Sequence, residues 1–201
     1  DDEQELARLI YPPPAFTDDE RGAQRAALTK TEHAQPALGA VSLATLRTLE
    51  QLGLTFDMAA GHSFGELTAL CAAGAFDEAT LLRLARRRGE LMATASTEAG
   101  AMAAVIGDAR FVPEHLAGLC AVVANHNAPD QCVISGEVCD VDLAMQRLSA
   151  AGFTVKKLLV STAFHSPLVE GAAAPFGEAL ALADVRATRV PVYANTTAQP
   201  H

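Results

Sequence analysis

The sequence predicts an α/β fold in which a larger body carries a smaller inserted subdomain. Segments with helical periodicity alternate with short apolar runs along the 201 residues, an alternation typical of α/β proteins. Between residues 99 and 160 the predicted elements follow a β-α-β-β-α-β order, which is that of ferredoxin-like units. We therefore assign 99–160 to the subdomain, 34–98 and 161–201 to the body, and 1–33 to an irregular N-terminal segment.

The body begins with a predicted long helix. Residues 1–33 hold the stretch "YPPPAFTDDERG", whose prolines oppose regular structure. From Gln35 onward, apolar residues recur on one helical face, with Pro36 suited to the first helical position and Gly53 to the end. The predicted buried face consists of Leu38, Val41, Ala44 or Thr45, and Leu49.

A strand and two helices are predicted next. The run "LTFDMAAGH" is low in polar residues and predicts a short buried strand, and "FGELTALCAAG" predicts a helix closed by Gly74. Asp77 is a suitable N-cap for a third helix that extends through Ser96.

The subdomain elements follow in order. Its predicted strands are "AMAAVI", "AVVANH", "QCVISG" and "FTVKKLLV", and its helices are "VPEHLAGL" and "EVCDVDLAMQRLSAAG". The body resumes at Ser161, with a helix near 167–182 and a strand at "VPVYAN".

Composition excludes several classes of function. A net charge of −9 argues against nucleic acid as the main partner, and no apolar run is long enough to span a membrane. The four cysteines form no CxxC pair and predict buried reduced thiols, no metal site and a cytoplasmic location. A start at Asp1 and an end at "TTAQPH" suggest a fragment of a longer domain.

The pattern Gly-His-Ser-Phe-Gly at 61–65, set between a strand and a helix, predicts a nucleophile elbow. The tight turn would expose the Ser63 hydroxyl, and side chains at Gly61 and Gly65 would collide across it. Backbone N–H groups of the following helix, that of Phe64 among them, would stabilise an oxyanion. This elbow makes the body an α/β-hydrolase-like core.

Ser63 needs a base, and the chain offers six histidines. His62 adjoins the serine, so its side chain should point elsewhere, and His33, His115 and His201 lie in surface or terminal stretches. Two plausible bases follow from position alone. They are His126 at a strand end and His165 in "STAFHSPLV", a loop after a strand.

Arg88 falls in the middle of the apolar stripe of its predicted helix. That stripe contains Leu81, Leu84, Ala85, Met92 and Ala95, with Arg83, Arg86, Arg87 and Glu90 on the opposite face. A charge on the inner face is costly unless it is paired. Arg88 therefore either pairs with a structural carboxylate or holds the carboxylate of a ligand bidentately.

With these residues in place, the chain resembles the malonyl-CoA:acyl carrier protein transacylase family, including the acyltransferase domains of polyketide and fatty-acid synthases. The matching segments are "QPAL", "GHSFGE", "RRRGELM", "NHNAPDQCVISG", "AFHSPLVE" and "VPVYANTTA". "GHSFGELTAL" most resembles iterative synthases of the enediyne and polyunsaturated-fatty-acid type. Arg88 lies 25 residues after Ser63, where the carboxylate-binding arginine of the family lies.

The resemblance implies a ping-pong transfer of malonyl from coenzyme A to the phosphopantetheine thiol of an acyl carrier protein, with no bound cofactor. Ser63 would be the nucleophile, His165 the base, and Arg88 the carboxylate ligand. A backbone carbonyl orients the histidine in the family, and Asn195 is a candidate for it. Gln35, His62 and Phe164 would line the substrate site. Ketosynthase and carrier domains of a synthase are the implied partners.

Two departures from the family pattern matter. The family draws a second oxyanion-hole amide from a G-Q-G-S-Q loop that residues 1–30 do not contain, so we expect a fragment that begins after it. The sequence before the histidine reads Thr162-Ala163-Phe164-His165, where malonyl enzymes read H-A-F-H. Phe164 would fill the space of an α-methyl group and so favours malonyl.

Two alternatives stay open at this stage. A serine hydrolase or thioesterase would use the same elbow with Asp130, Asp140 or Asp142 completing a triad, although Arg88 would then be unexplained. A non-catalytic carrier-docking protein would instead use Arg83, Arg86 and Arg87 against an acidic carrier.

Overall fold

The computed structural model describes residues 2–95, 98–160 and 162–201, with the side chains of Asp2 and Glu3 left aside. The predicted helix end at Ser96 and the predicted resumption of the body at Ser161 lie outside these ranges. The chain forms two compact units. The first runs to Glu90 and includes Pro175–His201, and the second is Leu91–Ala174.

The N-terminal segment of the first unit is helical, so the prediction of an irregular 1–33 is wrong. Helices α1 (Asp2–Ile10) and α2 (Asp18–Thr29) flank the prolines, which occupy only the connection between them. Thr17 and Glu20 form a capping box at the start of α2, each side chain accepting a backbone N–H from the other residue. The prolines therefore end one helix and leave the next free to begin.

Helix α3 (Thr31–Gln51) begins earlier than predicted and buries a different face. Pro36 lies inside it, not at its first position. Leu38, Val41 and Leu49 of the predicted buried face are exposed, whereas the buried residues are Thr31, Gln35, Pro36, Ala37, Gly39 and Leu43. The predicted end is confirmed, because Gly53 adopts φ 84° and its N–H and that of Leu54 close a Schellman motif.

Two short parallel strands support the elbow. Strand β1 (Ala59–Ala60) pairs with β6 (Val192–Tyr193), so both strands end at the same edge. Helices α4 (Gly65–Ala72) and α5 (Glu78–Thr94) follow β1, and α8 (Ala173–Ala181) precedes β6. One apolar core packs α3, α4 and α5 around residues such as Leu43, Phe64, Leu67 and Leu81.

The second unit contains the predicted β-α-β-β-α-β order. Its elements are β2 (Gly100–Ile106), α6 (Val112–His115), β3 (Ala121–Ala128), β4 (Gln131–Glu137), α7 (Val138–Ala150) and β5 (Thr154–Lys157). The strands pair in the order β3-β4-β2-β5, all antiparallel. This unit extends beyond 99–160, since a Cβ built on Gly100 would lie 2.5 Å from the Cβ of Ala163.

The cysteines divide into two buried and two exposed thiols, all free, so the prediction of four buried thiols is wrong for Cys120 and Cys139. Burial raises the pKa of Cys71 to about 11. Across the described ranges, no helix combines the length and the apolar character required to cross a bilayer.

Candidate active site

Ser63 lies on a strand–turn–helix connection between β1 and α4, as the elbow prediction requires. Its φ is 54°, a left-handed conformation that non-glycine residues adopt rarely and usually where function demands it. A Cβ built on Gly61 would lie 1.9 Å from the carbonyl carbon and oxygen of Gly65, so only glycine fits at 61. At Gly65 a Cβ would meet nothing within 4 Å, so the predicted collision there is wrong.

The turn is held by its own backbone and by one aromatic anchor. The N–H groups of Gly65, Glu66 and Leu67 donate to the carbonyls of residues 62, 63 and 64 at 2.9–3.1 Å. The Phe64 side chain is buried in the core of the first unit, 3.3 Å from the Cβ position of Gly39 on α3. The backbone that presents Ser63 is therefore fixed by packing on the inside while the His62 side chain stays exposed.

Asn195 lies two residues after the end of β6 and holds the elbow in place. Its Nδ2 donates to the Gly61 carbonyl at 2.5 Å, and its backbone N–H donates to Glu66 Oε1 at 2.8 Å. His201 Nε2 lies 3.7 Å from the same Glu66 oxygen. Because β1 and β6 end at one edge, these bonds tie the ends of both strands together beside Ser63.

Arg88 occupies the inner face of α5, as its position in the stripe predicts. Leu81, Leu84, Ala85 and Met92 are buried and Arg88 is half-buried, whereas Arg83, Arg86 and Arg87 are exposed. Its Nη1 donates to Gln35 Oε1 on α3 at 2.8 Å. Burial lowers the pKa of the Arg88 guanidinium from its usual value, and the negative charge of Glu66 acts in the opposite direction.

Gly89 lets α5 approach α3 closely enough for this contact. A Cβ at position 89 would lie 2.5 Å from Glu32 Cα and 2.6 Å from the Thr31 carbonyl oxygen, both backbone atoms that cannot swing aside. Because Gly89 has no side chain, α5 lies close enough to α3 for the Arg88 guanidinium to reach Gln35.

We expect Gly89→Ala to destabilise the protein although alanine favours helices. The gain in helix propensity is about 1 kcal/mol, whereas forcing a methyl into packed backbone costs about 1–3 kcal/mol or more. Urea unfolding measures the difference. The control is Gly22→Ala in α2, where a Cβ meets nothing within 4 Å and a gain of about 0.5–1 kcal/mol is expected. Equal effects at the two sites would contradict the close approach.

The His165 segment lies in the second unit. His165 is exposed with φ 56°, another left-handed non-glycine residue, and Phe164 is half-buried. The segment is anchored by its neighbours, since Ala163 is buried and the buried Ser166 hydroxyl donates to the Ala163 carbonyl at 2.7 Å. Ser166 also caps the 3-10 helix Pro167–Ala172. His126, the other predicted base, is exposed on β3.

Several of the residues that the alternatives would use are engaged in other contacts. Asp140 accepts the Cys120 N–H at 2.7 Å, and Asp142 pairs with Lys157 at 2.6 Å. On α5, Arg86 and Arg87 lie 3.0 and 3.9 Å from carboxylate oxygens of Glu90. Glu90 therefore balances one of the three positive charges of this face.

Sequence reasoning missed three residues of this site. Thr31 contacts Gln35, Gly89 permits the helix contact, and Glu66 joins Asn195 to the elbow. Glu66 and Gly89 carried a signal, because they belong to the matching segments "GHSFGE" and "RRRGELM". Within the described residues one group has the spacing of a metal site, namely the exposed Cys139 with the half-buried Glu137 and Asp140.

A family model described as "Acyl transferase domain" matches residues 13–201. The chain belongs to this acyltransferase family. The malonyl CoA-acyl carrier protein transacylase of Bacillus subtilis (strain 168) is 40% identical over 179 residues, which are 85% of this chain and 56% of that protein. The acyltransferase chain thus spans little more than half the length of this relative.

Solved acyltransferase structures agree with the fold. The acyltransferase domain of an iterative polyketide synthase in enediyne biosynthesis is 40% identical, with a TM-score of 0.77 over 81% of this chain and 44% of that chain. A malonyl-transacylase in complex with its type II polyketide synthase acyl-carrier protein is 32% identical, with a TM-score of 0.87 over 98% and 63%. The α/β content of the acyltransferase chain is therefore that of its family.

Proposed function

We propose that this chain carries the acyl-transfer site of a malonyl-CoA:acyl carrier protein transacylase of the polyketide type. The observation that supports this most directly is that the first unit contains both a serine on a left-handed elbow and a half-buried arginine held by Gln35. An elbow serine can form an acyl ester, and an inner-face guanidinium suits an acyl group that ends in a carboxylate. The hydrolase alternative leaves Arg88 without a role.

The first half-reaction begins when Ser63 Oγ attacks the thioester carbonyl of malonyl-CoA. We assign His165 as the base that takes the hydroxyl proton as the C–O bond forms. The C–S bond then breaks, and the coenzyme A sulfur leaves with that proton. The Phe64 N–H, at the N-terminus of α4, would stabilise the oxyanion. In this proposal the first unit is an α/β-hydrolase-like core and the second unit is its ferredoxin-like subdomain.

The second half-reaction returns the acyl group to a thiol. The phosphopantetheine sulfur of the carrier attacks the acyl-serine, His165 accepts the thiol proton, and the Ser63 oxygen recovers a proton as its ester bond breaks. A complex of a similar transacylase with its carrier supports this acceptor class. Phe164 before the base favours malonyl over an α-methylated group.

Asn195 has contacts that suggest a role different from the predicted one. Its side chain and N–H hold the elbow through Gly61 and Glu66, which supports a role in keeping Ser63 in place. Orientation of His165 by the Asn195 carbonyl stays a prediction, as does a substrate contact by His62.

The test is acylation of the full-length protein by malonyl-CoA. We expect intact-mass spectrometry to show one malonyl group, located on Ser63 by peptide mapping. Ser63→Ala should abolish the adduct, whereas the control Ser42→Ala, an exposed serine of α3, should keep it. An adduct that persists in Ser63→Ala, or rapid loss of the acyl group to water in place of transfer to a carrier thiol, would refute the proposal.

A further inference from the structure

We propose that the buried Thr31 hydroxyl positions Arg88 through Gln35 and thereby strengthens the preference for acyl groups that carry a free carboxylate. This inference rests on the proposed function, in which Arg88 binds the malonyl carboxylate. Thr31 is a positioning residue here, since it reaches Arg88 only through the Gln35 amide.

The three side chains form a continuous hydrogen-bonded relay. Gln35 Nε2 donates to Thr31 Oγ1 at 2.8 Å, and Gln35 Oε1 accepts from Arg88 Nη1 at 2.8 Å. Thr31 is 3% exposed and Gln35 is 5% exposed. Inside a protein such bonds are stronger than in water, and an end left without a partner is costly.

The hydrogen-bonding groups of Thr31 and Arg88 fix which end of the Gln35 amide faces each of them. A guanidinium has only donors, so Arg88 requires the oxygen end of the amide. The NH2 end then points to Thr31, four residues earlier on the same face of α3, where the hydroxyl oxygen accepts it. Removing that acceptor takes away a bond that holds the Gln35 amide in the orientation that Arg88 needs.

The relay also has little room to adjust. The Thr31 carbonyl oxygen lies 2.6 Å from the Cβ position of Gly89, so the first turn of α3 is held against the residue that follows Arg88. Thr31 therefore contacts α5 with its backbone and Gln35 with its hydroxyl. A guanidinium fixed before the substrate arrives loses less side-chain entropy on binding a carboxylate, which favours malonyl over acetyl.

The experiment compares the rate constants of Ser63 acylation by malonyl-CoA and acetyl-CoA in the full-length protein. Thr31→Val keeps the side-chain shape and removes the hydroxyl, and we expect the malonyl-to-acetyl ratio to fall about 5- to 20-fold, the range that loss of one buried hydrogen bond allows. Thr31→Ser keeps the hydroxyl and should restore most of the ratio. A purely structural defect would slow both substrates alike and leave the ratio unchanged.

The matched control is Thr45→Val, an exposed threonine of the same helix whose hydroxyl donates to the Val41 carbonyl. It should leave the ratio within about 2-fold of wild type, as expected for an exposed bond. A Thr31→Val protein with a wild-type ratio would overturn the inference, and so would a ratio that Thr31→Ser fails to recover.

Failure of the proposed function gives a different result, namely no acylation of wild-type Ser63 by either substrate. The relay is then judged on stability, by a double-mutant cycle of Thr31→Val and Arg88→Met in urea. We expect non-additive effects that vanish when Gln35 is replaced by leucine. Additive effects in the presence of Gln35 would overturn the relay.

Discussion

Arg88→Ala is expected to reduce the kcat/KM for malonyl-CoA by about 100- to 1,000-fold while leaving that for acetyl-CoA within about 3-fold. The loss corresponds to two charge-assisted hydrogen bonds between a guanidinium and a carboxylate, each contributing about 1.5–2 kcal/mol. Acetyl lacks the carboxylate and has nothing to lose at Arg88. Transacylation with each substrate, at limiting concentration, measures both constants.

Two further variants separate the charge of Arg88 from its shape and its surroundings. Arg88→Lys keeps the charge but loses the planar fork, so we expect an intermediate loss of about 10- to 100-fold. Arg87→Ala changes the next residue of α5, which is exposed and lies 3.9 Å from Glu90, and should leave the malonyl-to-acetyl ratio unchanged. A folded Arg88→Ala protein that still prefers malonyl would show that another group binds the malonyl carboxylate.

The placement of Arg88 was predictable because one helix decides it. Periodicity alone puts residue 88 among Leu81, Leu84, Ala85 and Met92, and those residues are buried. The Ser63 elbow was predictable for the same reason, since its strand, turn and helix are consecutive in the chain. Local patterns succeed where neighbours in sequence determine the geometry.

Helix α3 shows where local patterns fail. Its most apolar stripe, Leu38, Val41 and Leu49, is exposed, while the buried stripe contains Gln35, Pro36 and Gly39. Contacts with residues outside α3 determine its buried face. The Phe64 ring packs at Gly39, and the Arg88 guanidinium of α5 donates to Gln35. These partners lie 25 and 53 residues away in the sequence, so periodicity within α3 cannot reveal them.

The N-terminal helices failed to appear in the prediction for a simpler reason. The prolines of "YPPPAF" predict irregular structure, and this prediction was extended to all of residues 1–33. Thr17 and Glu20 nevertheless form the capping box that begins α2. The capping box therefore begins a helix in spite of the prolines that precede it.

Gly61→Ala is expected to destabilise the protein by about 3 kcal/mol or more, whereas Gly65→Ala should be neutral or stabilising by up to about 1 kcal/mol. The two glycines are equivalent in the G-x-S-x-G pattern but have different surroundings. At 61 a Cβ would lie 1.9 Å from the backbone of Gly65 and 2.5 Å from the Glu66 nitrogen. At 65, the first residue of α4, it meets nothing within 4 Å.

The clash at Gly61 cannot be relieved without moving the nucleophile. The Gly61 carbonyl is bound by Asn195 Nδ2 on one side, and the Gly65 and Glu66 amides close the turn on the other. Any shift that makes room for a methyl breaks one of these bonds and alters the left-handed conformation of Ser63. Gly61→Ala should therefore lose Ser63 acylation along with stability in urea unfolding, and equal stability losses at 61 and 65 would show that the elbow does not need this close approach.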